Sequence, residues 1–323
     1  MAENNMLFGA RKLLTLCTHT KPNESVVIVT DTELAGLAEP LAVAAAEVGA
    51  EPTICVMRTR AVHGQEPPRP VAAALAVADV FFVPVKVSIT HTRAVKEAVQ
   101  AGGRGLVMTD FRPEMLVRGG IEADFAAQAS VCRRLAAIFE AGERVHLTTV
   151  AGTDLRLSAA GRRGNALTGM VEPGQFSTVP TIEANFSPVE GSADGVIVAD
   201  ASIPYLGIGV LKEPVRAEVR EGFIRHIEGG EQAEVLSRDL AAQGDAHVYN
   251  IAELGVGLNP RARLCGLMLE DEGVMGVVHI GIGTNLTLGG QVKAKVHYDL
   301  LMHGATLMVD GKVVLREGQL ALV

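Results

Sequence analysis

The chain has no tryptophan, and aromatic residues make up only 4 % of its 323 residues. Surfaces that stack on sugars or nucleic-acid bases depend on aromatic rings, so this scarcity argues against both kinds of surface. The core must be aliphatic instead, and hydrophobic residues amount to 48 % of the sequence. A chain of this length, with this supply of apolar side chains, predicts two globular domains.

Clusters of basic residues are also missing, and the formal net charge is -8. The densest basic spots, Arg162–Arg163 and Arg261–Arg263, are too short to neutralise a phosphate backbone. We therefore expect neither nucleic acid nor an anionic membrane as a partner.

The sequence shows neither the pattern of a targeting segment nor that of a membrane span. No apolar run reaches the roughly 18 residues of a membrane span, and the opening MAENNMLFGARKLL lacks the apolar stretch of a signal peptide. The four cysteines are scattered without CxxC spacing, which predicts reduced thiols instead of a disulfide framework or a thiolate zinc site. Together these features predict a cytoplasmic protein.

The first half of the chain alternates short apolar strands with helical stretches. Continuous apolar strands separated by helices predict a parallel sheet covered on both faces, and hence an α/β fold class. We assign residues 1–143 to a Rossmann-like α/β domain. Neither GxGxxG nor GxxxxGK[ST] is present, so a nucleotide cofactor is not expected. The predicted strands are Ser25–Thr30, Pro52–Met57, Val80–Pro84 and Gly105–Thr109, and a long helix is predicted over Ile121–Ala141.

The second half, residues 144–323, changes character to short strands separated by glycine-rich turns. Asp310–Gly311 within VDGKVV predicts a hairpin with a type I′ turn. Only Gln232–Gln243 is predicted as a confident helix. We therefore predict a β-rich α+β domain that carries the metal site and the catalytic residues, with one boundary between residues 143 and 144.

Three apolar, glycine-punctuated segments of this half contain Glu253, His279, His297 and Asp299. Residues i and i+2 of a strand share a face, so His297 and Asp299 would project side by side. Burial of such groups unpaired is costly, and a divalent metal would remove that cost. Nitrogen and oxygen ligands suit Zn, Mn, Co or Fe(II). A single histidine on an apolar strand is more often a core residue, so this pattern leaves both interpretations open.

An acidic run, Glu270–Glu272, precedes the His279 segment. Charge runs of this kind are typical of solvated turns, and we predict such a turn here.

The segments EANFSPVEGSADGVIVAD, AELGVGLNP, DEGVMGVVHIGIGTN and KVHYD resemble, in order and context, the aminopeptidase T / aminopeptidase S type of metallo-aminopeptidases. The resemblance implies two divalent ions (Zn, Mn or Co) and hydrolysis of an amide or peptide bond by a bridging hydroxide, on a small-molecule or peptide-like substrate. It also implies a homo-oligomer, such as a homodimer. The implied metal ligands are Glu183, Glu253, His279, His297 and Asp299, of which Glu183 and Glu253 also count as catalytic. That family carries a tyrosine shortly after the first metal histidine, whereas Leu286 stands there in this chain.

Two further segments, EPGQFSTVP and VGLNPRA, resemble the 2,5-dihydroxypyridine 5,6-dioxygenase family. That resemblance implies one Fe(II) and ring cleavage of an N-heteroaromatic compound. Its iron triad has a histidine where this chain has Glu253 and an apolar residue where this chain has His279. A non-catalytic relative that binds a small molecule or peptide is the third hypothesis.

Overall fold

The computed structural model describes residues 2–90 and 92–321. They form two compact units, the first built from residues 1–129 and 167–180 and the second from residues 130–166 and 181–323. Within the described ranges, no helix combines the length and the hydropathy needed to cross a membrane.

In the first part of the described chain, α-helices and β-strands alternate. They are α1 (Ala2–Lys12), β1 (Ser25–Asp31), α2 (Ala38–Glu47), β2 (Glu51–Met57), α3 (Arg69–Ala76), β3 (Val80–Val85), α4 (Arg93–Gln100), β4 (Arg104–Thr109) and α5 (Phe125–Ala141). The helix predicted from Ile121 begins later because Gly120–Glu122 forms a 3₁₀ turn. The Asp124 carboxylate then accepts a hydrogen bond from the Ala127 N–H at 3.0 Å, as N-cap residues do.

The remaining elements are mostly strands. They are β5 (Arg144–Thr148), β6 (Asp154–Ser158), β7 (Asn165–Leu167), β8 (Phe176–Thr178), β9 (Glu183–Phe186), β10 (Asp194–Ala199), β11 (Ser202–Ile203), β12 (Gly209–Val210), β13 (Val215–Arg220), β14 (Phe223–Glu228), α6 (Glu231–Ala242), β15 (Ile251–Gly257), α7 (Met268–Asp271), β16 (Val278–Gly283), β17 (His297–Met302), β18 (Thr306–Val309), β19 (Lys312–Arg316) and β20 (Gln319–Leu320).

The first unit is built around a parallel sheet in the order β2-β1-β3-β4-β8. Strands β3 and β4 are buried along their whole length, as the continuous apolar runs predict. The predicted α/β class with a parallel sheet is therefore confirmed. The single predicted boundary at residues 143 and 144 differs from the division observed, because the chain returns to this sheet at β8 and pairs Phe176 with Gly105 in parallel.

A buried ion pair ties the start of β4 to the segment before β1. The Arg104 guanidinium is 5 % exposed and donates to the Glu24 carboxylate at 2.7 Å and to the Thr18 carbonyl at 2.5 Å. Burial raises the pKa of Glu24, but the hydrogen bonds from Arg104 and from the Lys21 N–H outweigh this and hold that pKa below its ordinary value. The pair therefore stabilises the fold only while Glu24 is ionised.

We expect Glu24→Gln to lower the free energy of unfolding by about 2 kcal/mol at pH 7, since it removes a charge-assisted bond to a buried cation. A carboxyl group with a lowered folded-state pKa stabilises above its unfolded pKa of about 4.3, and this stabilisation is lost as the pH falls through the lower folded value. Urea unfolding at pH 7 and pH 3 should therefore show a deficit at pH 7 that shrinks at pH 3.

The control is Glu47→Gln, which removes the partner of Arg11 in a pair whose side chains are 39 % and 56 % exposed. Exposed pairs contribute about 0–1 kcal/mol. A loss in Glu24→Gln no larger than that in Glu47→Gln would contradict the stabilising role of the buried pair.

The second unit contains an eight-stranded sheet in the order β14-β13-β10-β6-β5-β18-β19-β20. Its β18–β19 hairpin confirms the predicted turn, because Asp310 and Gly311 both have positive φ, at 49° and 79°. Helix α6 confirms the predicted helix with bounds shifted by one residue.

A second sheet of this unit, in the order β17-β16-β15-β9-β7, carries the predicted ligands. Strands β9, β15 and β16 are buried along their whole length. Phe186 of β9 contacts Phe139 of α5, with ring centroids 5.0 Å apart. The three central strands of the sheet are thus covered rather than open to solvent, and polar groups on them are held away from water.

Candidate metal centre

Five polar side chains share one face of the buried sheet. The register explains this, because Gly281 pairs directly with both Glu253 and Asp299, and directly opposed residues lie on the same face. Alternation along each strand then places the other members on that face as well. The five residues are Glu183 on β9, Glu253 on β15, His279 on β16, and His297 and Asp299 on β17.

Each of these five residues has a glycine as a direct cross-strand neighbour. The pairs are Glu183 with Gly257, Glu253 and Asp299 with Gly281, His279 with Gly255, and His297 with Gly283. A Cβ added at Gly255 would lie 2.1 Å from His279 Nε2, and one at Gly281 would lie 2.8 Å from His297 Nε2 and 2.9 Å from Asp299 Oδ1. The glycines therefore leave the space into which the five side chains converge.

The potential ligand atoms form two overlapping groups. Glu183, Glu253 and His279 form one, and Glu253, His297 and Asp299 form the other, with the atoms of each group within 4.8 Å of one another. Glu253 belongs to both, since its Oε1 lies 3.6 Å from His279 Nε2 and its Oε2 lies 3.0 Å from His297 Nε2. One carboxylate thus spans two sites.

The cluster is buried and carries an excess of negative charge. Glu183, Glu253, His279 and Asp299 are at most 5 % exposed, whereas the His297 side chain is 25 % exposed. Among the described residues no lysine or arginine forms an ion pair with the three carboxylates. Even with both imidazoles protonated, the carboxylates outnumber the positive charges.

In the part of the chain that the structure describes, two carboxylate oxygens of this cluster lack a hydrogen-bond partner. Glu183 Oε2 and Asp299 Oδ1 are buried, and neither accepts a hydrogen bond from any described residue. An unsatisfied buried polar atom costs about 1–3 kcal/mol, and more for a charged group. Oxygen and imidazole donors in this number match the preferences of divalent transition metals. The residues therefore fit a divalent metal centre.

The pKa values of the cluster residues reflect its burial and its excess of negative charge. Burial raises the pKa of Glu183 to about 7. Burial lowers the pKa of His279, but the Glu183 and Glu253 carboxylates raise it more, to about 9. Burial also raises the pKa of Asp299, but His297 holds it well below its usual range. In the metal-free protein the imidazoles thus carry protons that a bound cation would displace.

His297 is oriented by the backbone. Its Nδ1–H donates to the Thr284 carbonyl at 2.7 Å, so Nε2 points toward Glu253 and Asp299. Metal-binding histidines are commonly held in this way, because the outer hydrogen bond fixes the ring and its tautomer.

The structure brings together all five residues that the sequence nominated as ligands, but it corrects the prediction for the acidic run. Glu270, Asp271 and Glu272 are 4 %, 0 % and 9 % exposed, so they do not form a solvated turn. The Asp271 carboxylate accepts hydrogen bonds from the N–H groups of Cys265 and Gly266. Hydrogen bonds from backbone N–H groups thus offset the cost of burying the Asp271 carboxylate. The pattern of charges in the sequence does not reveal these donors.

Sequence reasoning missed two residues at the cluster, Tyr205 and Asn185. The Tyr205 hydroxyl donates to Asp299 Oδ2 at 2.6 Å and lies 3.1 Å from Glu272 Oε1. The Asn185 amide donates to Glu183 Oε1 at 2.8 Å. Asn185 could have been found from its i+2 spacing to Glu183, whereas nothing in the local sequence marks Tyr205. Leu286, which stands where the peptidases have tyrosine, is 49 % exposed.

Comparisons with known proteins agree with this architecture. The family model for NicX, 2,5-dihydroxypyridine 5,6-dioxygenase, matches residues 5–322. A curated 2,5-dihydroxypyridine 5,6-dioxygenase of Pseudomonas putida is 26 % identical over 243 residues, which cover 71 % of this chain and 68 % of the relative.

Two solved structures share the fold over nearly the whole chain. That of 2,5-dihydroxypyridine dioxygenase from Pseudomonas putida KT2440 has a TM-score of 0.85 at 20 % identity, covering 99 % of this chain and 98 % of the other. AmpT from Thermus thermophilus has a TM-score of 0.72 at 16 % identity, covering 99 % and 100 %. Both resemblances noted in the sequence are therefore confirmed. Because the family model spans nearly all of it, the chain belongs to the 2,5-dihydroxypyridine 5,6-dioxygenase family.

Proposed function

We propose that this member of the family is a metal-dependent hydrolase that cleaves an amide bond at a dinuclear centre. The observation that carries the proposal is the position of Glu253, whose two oxygens face the two histidines and belong to two ligand groups. Adjacent divalent ions need a shared carboxylate of this kind, with further ligands for each ion. Glu183 and His279 would complete one ion's ligands, and His297 and Asp299 those of the other.

Two divalent ions held there would lower the pKa of a bound water and polarise the carbonyl group of an amide. The protein's own groups prepare this chemistry. The Thr284 carbonyl holds His297 Nδ1–H, which leaves Nε2 free to bind. Burial of Glu183, Glu253 and Asp299 excludes bulk water and strengthens the electrostatic interactions of the cluster. His297 is the most exposed of the five, so a substrate would reach the cluster from its side.

The aminopeptidase-like fold supports an amide as the scissile group. The chain shares its fold with AmpT over 99 % of its length, and the five nominated residues follow the order of ligands in the aminopeptidase T family. A small amide or a peptide-like molecule is the proposed substrate class, with Zn, Mn or Co as the metal.

A second candidate is a ring-cleaving Fe(II) dioxygenase, which family membership and the TM-score of 0.85 favour. Mononuclear iron oxygenases use two histidines and one carboxylate at a single ion. Among the described residues, each candidate ligand group contains only one histidine. The arrangement of side chains therefore supports the hydrolase better.

Metal analysis tests the choice between these candidates. We expect about two equivalents of Zn, Mn or Co per chain in protein purified without chelators or metal columns, and a lower content in His279→Ala. No oxygen should be consumed with 2,5-dihydroxypyridine. About one equivalent of Fe that His279→Ala leaves unchanged, together with oxygen uptake, would establish the dioxygenase instead. A folded protein that takes up no metal after reconstitution would exclude both and leave a binding protein.

A further inference from the structure

Within the described residues, one oxygen of Asp299 accepts a hydrogen bond and the other accepts none. Oδ2 accepts a hydrogen bond of 2.6 Å from the Tyr205 hydroxyl. Oδ1 has no hydrogen-bond partner among the described residues and lies 3.5 Å from His297 Nε2. Asp299 is thus set to offer a single oxygen to the side of the cluster where His297 lies.

The two oxygens of Glu183, at the other end of the cluster, differ in the same way as those of Asp299. Its Oε1 accepts a hydrogen bond of 2.8 Å from the Asn185 amide. Its Oε2 is buried, has no hydrogen-bond partner in the described part of the chain, and lies 3.6 Å from His279 Nε2. Glu183 therefore also offers one oxygen, and it offers it beside the other histidine.

Glu253 differs from both of these carboxylates. Its oxygens face His279 at 3.6 Å and His297 at 3.0 Å, and in the described structure no amide or hydroxyl group holds either of them. The three carboxylates thus fall into two kinds, one that offers both oxygens and two that are each restrained to one.

We propose that Tyr205 and Asn185 are positioning residues, each of which restrains the terminal carboxylate of a different metal ion to a single ligating oxygen. The proposal rests on the dinuclear centre of the proposed function. Under it, Tyr205 sets the affinity of the ion held by His297 and Asp299. Asn185 sets the affinity of the ion held by Glu183 and His279.

The fold fixes both donors independently of the ligands. Tyr205 lies in the turn between β11 and β12, where its N–H donates to the Ile203 carbonyl at 2.8 Å. Its ring packs on Tyr298 with centroids 5.1 Å apart. The Asn185 amide oxygen accepts a hydrogen bond of 2.9 Å from Asn165, which turns its NH₂ toward Glu183. Each donor is therefore held in place before a metal binds.

Outer hydrogen bonds of this kind typically change metal affinity by about 10–100-fold. The test is a titration of the folded, metal-free protein with Co²⁺, followed by its visible absorption, and with Zn²⁺ against a chromophoric chelator. In Tyr205→Phe we expect one ion to bind about tenfold more weakly while the other keeps its affinity. In Asn185→Ala the effect should fall on the other ion.

Variants of the two histidines show which ion each positioning residue affects. His279→Ala leaves only the ion at His297 and Asp299, so adding Tyr205→Phe should weaken it about tenfold, and adding Asn185→Ala should not. In His297→Ala the pattern should reverse. The matched control is Tyr298→Phe, which removes a hydroxyl from the same ring pair, but one whose partner is Asp239 at 3.0 Å. It should leave both affinities unchanged.

The possible failures are distinguishable. Wild-type protein that binds two ions, with affinities unaffected by Tyr205→Phe and Asn185→Ala, would overturn the positioning roles and leave the dinuclear centre intact. Equal weakening of both ions by either variant would also overturn them, because it would indicate a general loss of structure. Wild-type protein that binds one ion irrespective of His279 would instead refute the proposed function.

Discussion

Replacement of Glu253 by glutamine is expected to remove both metal ions at once, whereas His279→Ala and His297→Ala should each remove one. The reason is geometric, because Glu253 alone among the described residues belongs to both ligand groups. Glutamine keeps the volume of the side chain but cannot bridge two cations as a carboxylate does. Metal content should fall from about two equivalents to well below one, and amide hydrolysis should drop by about 10³-fold or more.

The control for this experiment is Glu190→Gln. Glu190 is a partly buried carboxylate that binds Arg162 and the Asn285 amide and belongs to neither ligand group. Its variant should keep both ions. Retention of one full equivalent in Glu253→Gln would show that the carboxylate is terminal, and the dinuclear proposal would then lose its main support.

Introduction of a single methyl group at Gly281 should have the second largest effect. A Cβ there would lie 2.8 Å from Glu253 Cβ, 2.8 Å from His297 Nε2 and 2.9 Å from Asp299 Oδ1. Gly281 does not have the positive φ that strains other residues, so the backbone accepts alanine and the clash falls on the ligands. Overpacking of this kind costs about 2 kcal/mol, which corresponds to roughly a 30-fold loss of metal affinity.

Isothermal titration of the metal-free protein measures this loss. Gly36→Ala is the control, because its Cβ would meet no atom within 4 Å. It should bind metal like the wild type. If Gly281→Ala also kept wild-type affinity, the ligands would not be packed against this position in solution, and the role assigned to the facing glycines would be wrong.

Much of the fold follows from local sequence patterns. The fully apolar runs of β3 and β4 predict a buried parallel sheet, and burial on both faces is what such runs require. Asp310–Gly311 predicts its hairpin because both residues tolerate positive φ. The three-residue strand β8 could not be predicted, since its place beside β4 depends on a pairing across a long stretch of chain.

In the candidate site, too, some features follow from the local sequence and others depend on the tertiary structure. All five candidate ligands are indicated by the sequence, through the His297–Asp299 spacing and the family-like segments. Strand periodicity and short motifs are local features that can be recognised without a structure. The role of the facing glycines can be recognised only from the strand register, which pairs Gly281 with Glu253 and Asp299. The acidic run shows the limit of local patterns, because backbone N–H groups from another loop allow Asp271 to be buried.

The sequence by itself determined the α/β class, the two family resemblances and the identity of the potential ligands, since each depends on residue type and short-range spacing. Only the tertiary structure decided that Glu253 lies between two histidines, and that Tyr205 and Asn185 each hold one oxygen of a neighbouring carboxylate. Those relations join residues on different strands and turns. Their distances are set by sheet register and side-chain packing, which no local pattern encodes.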